Sequence, residues 1–169
     1  MPHALIAALG GDTVRAVRVF GKTFPGVNLV ALVDFDNDCV KTSLQCARAL
    51  GDKLWGVRLD TSENLVDKAI IPEMGGFRPN GVVPELVYKT RRALDSEGFQ
   101  NVKIIVSGGF NPQKIARFEE ENVPVDAYGV GSALFEGSIN FTADVVLLDG
   151  EPCAKSGRHF IGNERLAAV

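Results

Sequence analysis

The chain has 169 residues, a formal net charge of −3 and 46% hydrophobic residues, values typical of one globular domain with its own core. The acidic balance argues against nucleic-acid binding, and no apolar run reaches the roughly 20 residues that span a bilayer. No basic segment opens the chain, so we expect no signal peptide. We expect the three cysteines to be free thiols in a reducing cytoplasm.

Four short apolar runs predict four strands, with helical patterns between them. The runs are 27–33, 54–59, 102–106 and, more weakly, 127–130. Near-continuous apolar runs favour strands that are buried on both faces. Strands that alternate with helices predict an α/β fold with a mainly parallel sheet, either open or closed into a barrel.

The helices are predicted from apolar residues at helical spacing and from the residues that cap helix ends. Pro112, at the first helical position, strengthens the helix start predicted at Asn111. The predicted starts are Asp12, Asn37 or Asp38, and Asn111 before Pro112, and the predicted ends are Gly51 and Gly98.

The connection that follows Asp60 is unusually long and rich in glycine and proline. It runs to a helix near Val83 and is not polar enough to indicate disorder. A long loop after a parallel strand predicts a lid or a binding loop. Its glycines and prolines are Pro72, Gly75, Gly76, Pro79, Gly81 and Pro84.

The end of the chain departs from the strand–helix rhythm. Residues 141–148 predict a strand, Asp149-Gly150-Glu151-Pro152 predicts a turn, and Cys153 to Lys155 predicts the returning strand. We therefore expect a C-terminal β-hairpin outside the parallel sheet. The predicted domains are a partial α/β barrel at residues 1–140 and, at 141–169, a strand, hairpin and tail belonging to a second domain.

Polar residues and glycines follow each predicted strand. Ligands bind at this carboxyl edge in parallel α/β folds, and glycine turns before a helix suit an anion. Ordinary turn chemistry explains any single position equally well, but the whole set favours one shared site in which two glycine turns clamp a phosphate. The set comprises Asp34, Asp60, Ser107-Gly108-Gly109 and Gly129-Val130-Gly131-Ser132.

Charged residues on the first two strands add candidates. Arg58 and Asp60 share one face of a strand, and an inward charged pair is costly unless a ligand or partner uses it; a structural ion pair is the alternative. Asp34, Asp36 and Asp38 could hold a divalent metal, although helix capping is the better interpretation of the last two. The two histidines match no zinc spacing, so the metal ligands stay open.

Five short segments, taken in order, resemble the nicotinate phosphoribosyltransferase family, and the hairpin fits as well. The resemblance covers about residues 2–158 and implies an irregular α/β barrel with a second domain. The implied reaction transfers phosphoribosyl from phosphoribosyl pyrophosphate to nicotinate, with Mg²⁺ and coupled ATP hydrolysis, and gives nicotinate mononucleotide for NAD biosynthesis. The segments are Pro2 to Ile6, Leu32 to Asp34, Gly56 to Thr61, Val106 to Gly109 and Tyr128 to Ser132.

The resemblance also implies roles for individual residues. His3 matches the histidine that is phosphorylated, Asp34 its carboxylate partner, and Asp60 the acid that contacts the ribose. Arg58 matches the arginine against the base and its carboxylate. The glycines match backbone donors around the 5′-phosphate, and the same segments add three substrate-binding candidates. The glycines are Gly108, Gly109, Gly129 and Gly131, and the added candidates are Thr61, Ser107 and Ser132.

The chain departs from the family pattern at its start. Met1 stands directly before Pro2-His3, where the family has Gly-Thr and an N-terminal domain before it. We therefore expect a fragment that needs this domain or a second chain, and association into a homo-oligomer, because open barrel edges expose strand hydrogen-bonding groups. The alternatives are a quinolinate phosphoribosyltransferase-like enzyme and a non-catalytic phosphate-binding or assembly fragment.

Overall fold

The computed structural model describes residues 1–135, 137 and 143–163. The chain divides into two compact units, Met1–Phe135 and Glu136–Val169. The assignment of residues 141–169 to a second domain stays a prediction. No helix in the described part of the chain is both long enough and apolar enough to cross a membrane.

The first unit alternates helices and strands, which confirms the predicted α/β class. Its four strands form one parallel sheet in the order β1-β2-β3-β4. The sheet is open within the described residues, and its closure into a barrel stays a prediction. The elements are α1 (His3–Ala8), α2 (Thr13–Thr23), β1 (Val30–Leu32), α3 (Cys39–Leu50), β2 (Gly56–Leu59), α4 (Pro84–Ser96), β3 (Lys103–Val106), α5 (Pro112–Glu120) and β4 (Ala127–Tyr128), with 3-10 helices at Gly51–Lys53, Ile71–Glu73 and Ser132–Phe135.

The predicted helix caps are confirmed for three helices. The carboxylates of Asp12 and Asp38 and the amide oxygen of Asn111 each accept a hydrogen bond from the backbone N–H three residues later. Asn37 does not cap α3; its side chain donates to Val66 O. The sequence analysis missed α1 because its six residues are too few for a periodic pattern.

The two faces of the sheet differ in how they are covered. One, here named the helix face, packs against buried residues of α3, α4 and α5. All six of its side chains are 0% exposed: Ala31, Val33, Val57, Leu59, Ile104 and Val106.

The opposite face, here named the open face, carries four residues in register across the sheet: Leu32, Arg58, Ile105 and Ala127. Leu32 is buried by residues of α1 and α2, whereas the other three are only half-buried. The prediction of strands buried on both faces is therefore wrong for β2, β3 and β4. The reason is that the described helices cover the open face only beside β1.

The strands are shorter than the apolar runs that predicted them. Residues 27–29 lie outside β1, and Val27 is 54% exposed. β4 is limited to Ala127–Tyr128. An apolar run shows a preference for burial, but a strand exists only where a neighbour supplies hydrogen bonds.

The long connection after β2 is packed at its base. Ile70, Val82 and the Asp67 carboxyl group are 0% exposed, and Asp67 accepts the backbone N–H groups of Cys39 and Ala69. Residues 71–76 are exposed. The lid or binding role predicted for this loop therefore concerns its outer part, and it stays a prediction.

The cysteines are free, as predicted. Cys39 and Cys46 are buried on α3, and Cys153 is exposed. Burial raises the pKa of the Cys46 thiol to about 12, so Cys46 packs as an apolar side chain.

The second unit contains the predicted hairpin, formed by β5 (Leu147–Leu148) and β6 (Glu151–Pro152). Asp149 and Gly150 have positive φ angles of 53° and 86°, as two-residue hairpin turns require. The returning strand starts at Glu151 and not at Cys153, because the turn is only two residues long and pairing starts directly after it. Cys153 N–H still donates to Val146 O. The predicted first strand includes residues 141 and 142, which lie outside the described residues.

Candidate functional site

The polar residues predicted at the strand ends lie in one row on the open face. Asp34, Asp60, Ser107 and Gly129 each follow by two positions one of the four residues that are in register across the sheet. Side chains two positions apart on a strand point to the same face. The strand register therefore places these four residues side by side at the carboxyl edge of the sheet, as predicted.

His3, the first residue of α1, lies beside this row. Its Nε2 is 2.9 Å from Asp34 Oδ2, and the Asp34 side chain is only 10% exposed. Burial raises the pKa of Asp34, the hydrogen bond and charge of His3 oppose this, and the Asp60 charge raises it further. Asp34 Oδ1 is buried without a hydrogen-bond partner among the described residues, so one oxygen of this carboxylate is left unsatisfied.

Asp60 is held from both sides. Ser107 Oγ donates to Asp60 Oδ1 at 2.6 Å, and Arg58 Nη2 lies 3.4 Å from Asp60 Oδ2. Arg58 Nε is buried and has no acceptor in the described part of the chain. Asp60 is thus a fixed carboxylate, and the Arg58 guanidinium group beside it has an N–H donor that no described residue accepts.

Two glycine turns border a cleft of about 320 Å³ next to Asp60. Gly108 and Gly109 have φ angles of 86° and 68°, which suit glycine. A Cβ on Gly129 would lie 3.0 Å from Ser107 Cβ, whereas one on Gly131 would have no atom of the described residues within 4 Å. The cleft is lined by Arg58, Asp60, Ser107, Gly108, Gly109, Phe110, Gly129, Val130, Gly131 and Ser132.

Three other candidate residues lie apart from this cleft. The Thr61 side chain is 1% exposed, and its hydroxyl lies 3.5 Å from Cys39 Sγ on the helix-covered side. Asp38 caps α3, as predicted, and Asp36 is exposed. The structure therefore does not bring the Thr61 hydroxyl to the row.

A metal ion could be held where His3 meets the two carboxylates. Potential ligand atoms of His3, Asp34 and Asp60 all lie within 4.8 Å of one another. The carboxylate oxygens, one of them unpartnered, are the donors that Mg²⁺ prefers. The chemistry of this donor set thus fits Mg²⁺ through Asp34 and Asp60.

The sequence analysis missed two residues that contact the first glycine turn. Lys114 Nζ donates to Gly108 O at 3.2 Å and lies 4.4 Å from the centre of the Phe110 ring. Glu63 lies so close to Gly109 that an added Cβ would be 2.1 Å from its Oε1. Lys114 stands three residues after Asn111, the N-cap of α5. This place on the first turn of the helix could have indicated that its side chain lies near the glycine turn. No signal in the sequence marks Glu63.

Comparisons with known proteins give a consistent set of relatives, although no family model matches the chain. The nicotinate phosphoribosyltransferase pncB2 of Mycobacterium tuberculosis is 28% identical over 138 residues, 79% of this chain and 25% of the relative. The nicotinate phosphoribosyltransferase pncB1 of the same organism is 38% identical over 88 residues, 49% of this chain and 19% of the relative.

A solved structure agrees with these relatives. The nicotinate-nucleotide pyrophosphorylase from Pyrococcus furiosus superimposes with a TM-score of 0.65 and 35% identity, over 94% of this chain and 37% of that one. The chain spans only 19–25% of the curated relatives' length. The resemblance to the nicotinate phosphoribosyltransferase family is thereby confirmed, and the chain is related to a part of these proteins.

Proposed function

We propose that this chain supplies the phosphoribosyl-binding edge of a nicotinate phosphoribosyltransferase. The reaction forms a bond between C1 of the ribose and the ring nitrogen of nicotinate and breaks the bond from C1 to pyrophosphate, which leaves with that electron pair. The observation that carries the proposal is the Asp60 carboxylate, fixed by Ser107 at the border of a cleft between two glycine turns.

Asp60 would stabilise the transition state. As pyrophosphate departs, positive charge develops on the ribose ring. A carboxylate that is already held in place needs no reorganisation to stabilise this charge, which is the usual source of a large electrostatic effect. Arg58 and Ser107 both contact Asp60 and would keep its carboxylate oriented.

The glycine turns would hold the 5′-phosphate. The turn at Gly108 and Gly109 leads directly into α5, whose N-terminal end favours an anion. Gly131, where an added Cβ would meet no described residue within 4 Å, lines the same cleft. The absence of side chains at these positions supports close approach of a phosphate to the backbone.

Arg58 favours an acceptor that carries a carboxylate. It lines the Asp60 cleft, its Nε has no acceptor in the described part of the chain, and a guanidinium group binds a carboxylate through parallel hydrogen bonds. This favours nicotinate over nicotinamide, whose amide is uncharged. Quinolinate also carries a suitable carboxylate and is therefore the acceptor against which nicotinate is tested.

His3 would couple ATP hydrolysis to this reaction. Its side chain is 43% exposed, and Asp34 holds one ring nitrogen, which leaves the other ring nitrogen to attack the γ-phosphoryl group of ATP with ADP as the leaving group. Asp34 would stabilise the charged imidazole. When bound by Asp34 and Asp60, Mg²⁺ would neutralise charge on the leaving pyrophosphate.

The proposal is tested with the full chain, phosphoribosyl pyrophosphate, Mg²⁺ and ATP. Nicotinate, nicotinamide and quinolinate are each offered alone, and mononucleotide is measured by mass. We expect the chain to bind phosphoribosyl pyrophosphate and, together with a second chain that supplies the expected N-terminal domain, to give product from nicotinate. Product from quinolinate alone would make this a quinolinate enzyme. The proposal would be overturned if no product formed and no binding of phosphoribosyl pyrophosphate could be measured.

The ATP-coupling role is tested with His3→Ala, and with His159→Ala as the matched control, since His159 is the second histidine of the chain and is exposed. We expect His3→Ala to abolish the stimulation by ATP while basal transfer continues. An unchanged dependence on ATP would remove His3 from the proposed mechanism.

A further inference from the structure

A second cavity lies next to the first glycine turn, because two of its lining residues, Lys114 and Glu63, contact that turn. It has a volume of about 200 Å³ and is formed by the loop after β2, the start of α4 and one side of α5. It shares no lining residue with the cleft. We name it the rear cavity, and nothing in the proposed reaction uses it.

The rear cavity is rich in positive charge. Arg78, Lys114 and Arg117 line it, against the single carboxylate of Glu63. Arg117 is paired with Glu121 at 2.7 Å. Neither Arg78 nor Lys114 has a carboxylate within ion-pair distance in the part of the chain that the structure describes, so two of the three cations lack a direct counter-ion.

The cations are close enough to repel one another. Burial lowers the pKa of Lys114, Glu63 opposes this, and the charges of Arg117 and Arg78 lower it further. Glu85, at the start of α4, also interacts with Arg117. Like charges held together on packed elements are stabilised when an anion binds between them.

The remaining wall limits the size of the ligand. Val82, Val83 and Phe118 are 0%, 8% and 1% exposed and form an apolar base. A volume of about 200 Å³ lies below the usual range for drug-sized ligands. The cavity therefore suits inorganic phosphate or a small phosphate ester.

We propose that the rear cavity is a second anion site, which binds inorganic phosphate or a small phosphate ester and acts on the glycine turn. The link is direct, because Lys114 Nζ bonds to Gly108 O and Glu63 lies against Gly109. An anion in the cavity competes with Gly108 O for Lys114 and repels Glu63 from Gly109. Binding there changes the turn that borders the Asp60 cleft.

The test measures binding of inorganic phosphate to the full chain by titration calorimetry, in the wild type and in four variants. Arg78→Gln with Arg117→Gln removes two cations of the rear cavity, and we expect at least tenfold weaker binding at one of two sites. Gly131→Glu places a negative charge beside the Asp60 cleft and should weaken phosphate binding only in that cleft. Arg15→Gln with Lys53→Gln removes two exposed charges elsewhere and leaves both sites unchanged.

The outcomes separate this proposal from the proposed function. Loss of binding in Gly131→Glu alone, with the double arginine variant unchanged, overturns the rear site and leaves the phosphoribosyl site intact. Equal weakening of phosphate binding in the Arg15/Lys53 control would show that phosphate is attracted non-specifically by positive charge, and it would also overturn the rear site. Arg78→Lys with Arg117→Lys keeps both charges, so recovery of binding in that variant excludes misfolding as the cause.

Discussion

The helix face and the open face of one sheet are built from alternate residues of the same strands, yet they have different compositions and different tasks. Leu59 is 0% exposed against the helices, whereas its neighbours Arg58 and Asp60 lie half-buried on the open face. The period-two geometry of a strand makes this separation possible. One face stabilises the fold, and the other carries charged groups that apolar packing would not tolerate.

The largest expected effect is on the open face. Asp60→Asn should lower turnover of an active assembly about 100- to 1,000-fold, equivalent to about 3–4 kcal/mol, because the amide cannot stabilise positive charge on the ribose. The free energy of unfolding should change by less than about 1 kcal/mol, since the exchange is nearly isosteric. Steady-state kinetics and urea unfolding measure the two effects. Asp52→Asn, an exposed acid at the opposite edge of the sheet, is the control, and equal losses in both variants would contradict the role of Asp60.

The neighbouring position on the helix face should behave in the opposite way. Leu59→Ala should lower the free energy of unfolding by about 3 kcal/mol, because it leaves a cavity in a core that cannot fully collapse. Urea unfolding monitored by circular dichroism measures the loss. Arg58→Gln, one residue away, should change stability by less than about 1 kcal/mol. A similar loss in both would mean that the two faces are not energetically distinct.

The glycines of the second turn provide a finer contrast. A Cβ at position 129 would lie 3.0 Å from Ser107 Cβ, so Gly129→Ala should cost about 1 kcal/mol of stability through overpacking. It should also move Ser107 away from Asp60. Gly131→Ala, which meets nothing within 4 Å, is the matched control and should be neutral. Thermal unfolding of both variants checks the difference, and equal behaviour would show that the turn is not tightly packed.

The smallest effect concerns the pH dependence of stability. Burial raises the pKa of Asp34 above 3.8 in the folded chain, so the folded state binds this proton more tightly than the unfolded state does. The stability of the wild type relative to Asp34→Asn should therefore fall as pH rises from 3.8 through the higher folded pKa. Urea unfolding of both proteins between pH 3 and 7, with the difference plotted, measures this. A difference that increases with pH would mean that His3 outweighs burial.

Much of the fold could be predicted because its signals are local. The side chains of Asp12, Asp38 and Asn111 accept the hydrogen bonds that cap their helices, and an Asp-Gly pair forms the hairpin turn. The coverage of the open face could not be predicted, because apolar strands such as β3 have the same sequence character whether one or both faces are packed. Helix α1 was missed for lack of length.

The amino-acid sequence by itself determined the strand–helix alternation, the two glycine turns and the polar residues at the strand ends, since these depend on neighbours within a few positions. Only the tertiary structure decided which of them meet. The strand register aligns Asp34, Asp60 and Ser107, and α1 brings His3 to within 2.9 Å of Asp34. The packing of the loop after β2 places Glu63 and Arg78 beside Lys114. Contacts between residues far apart in sequence depend on how elements pack, and no local pattern records that.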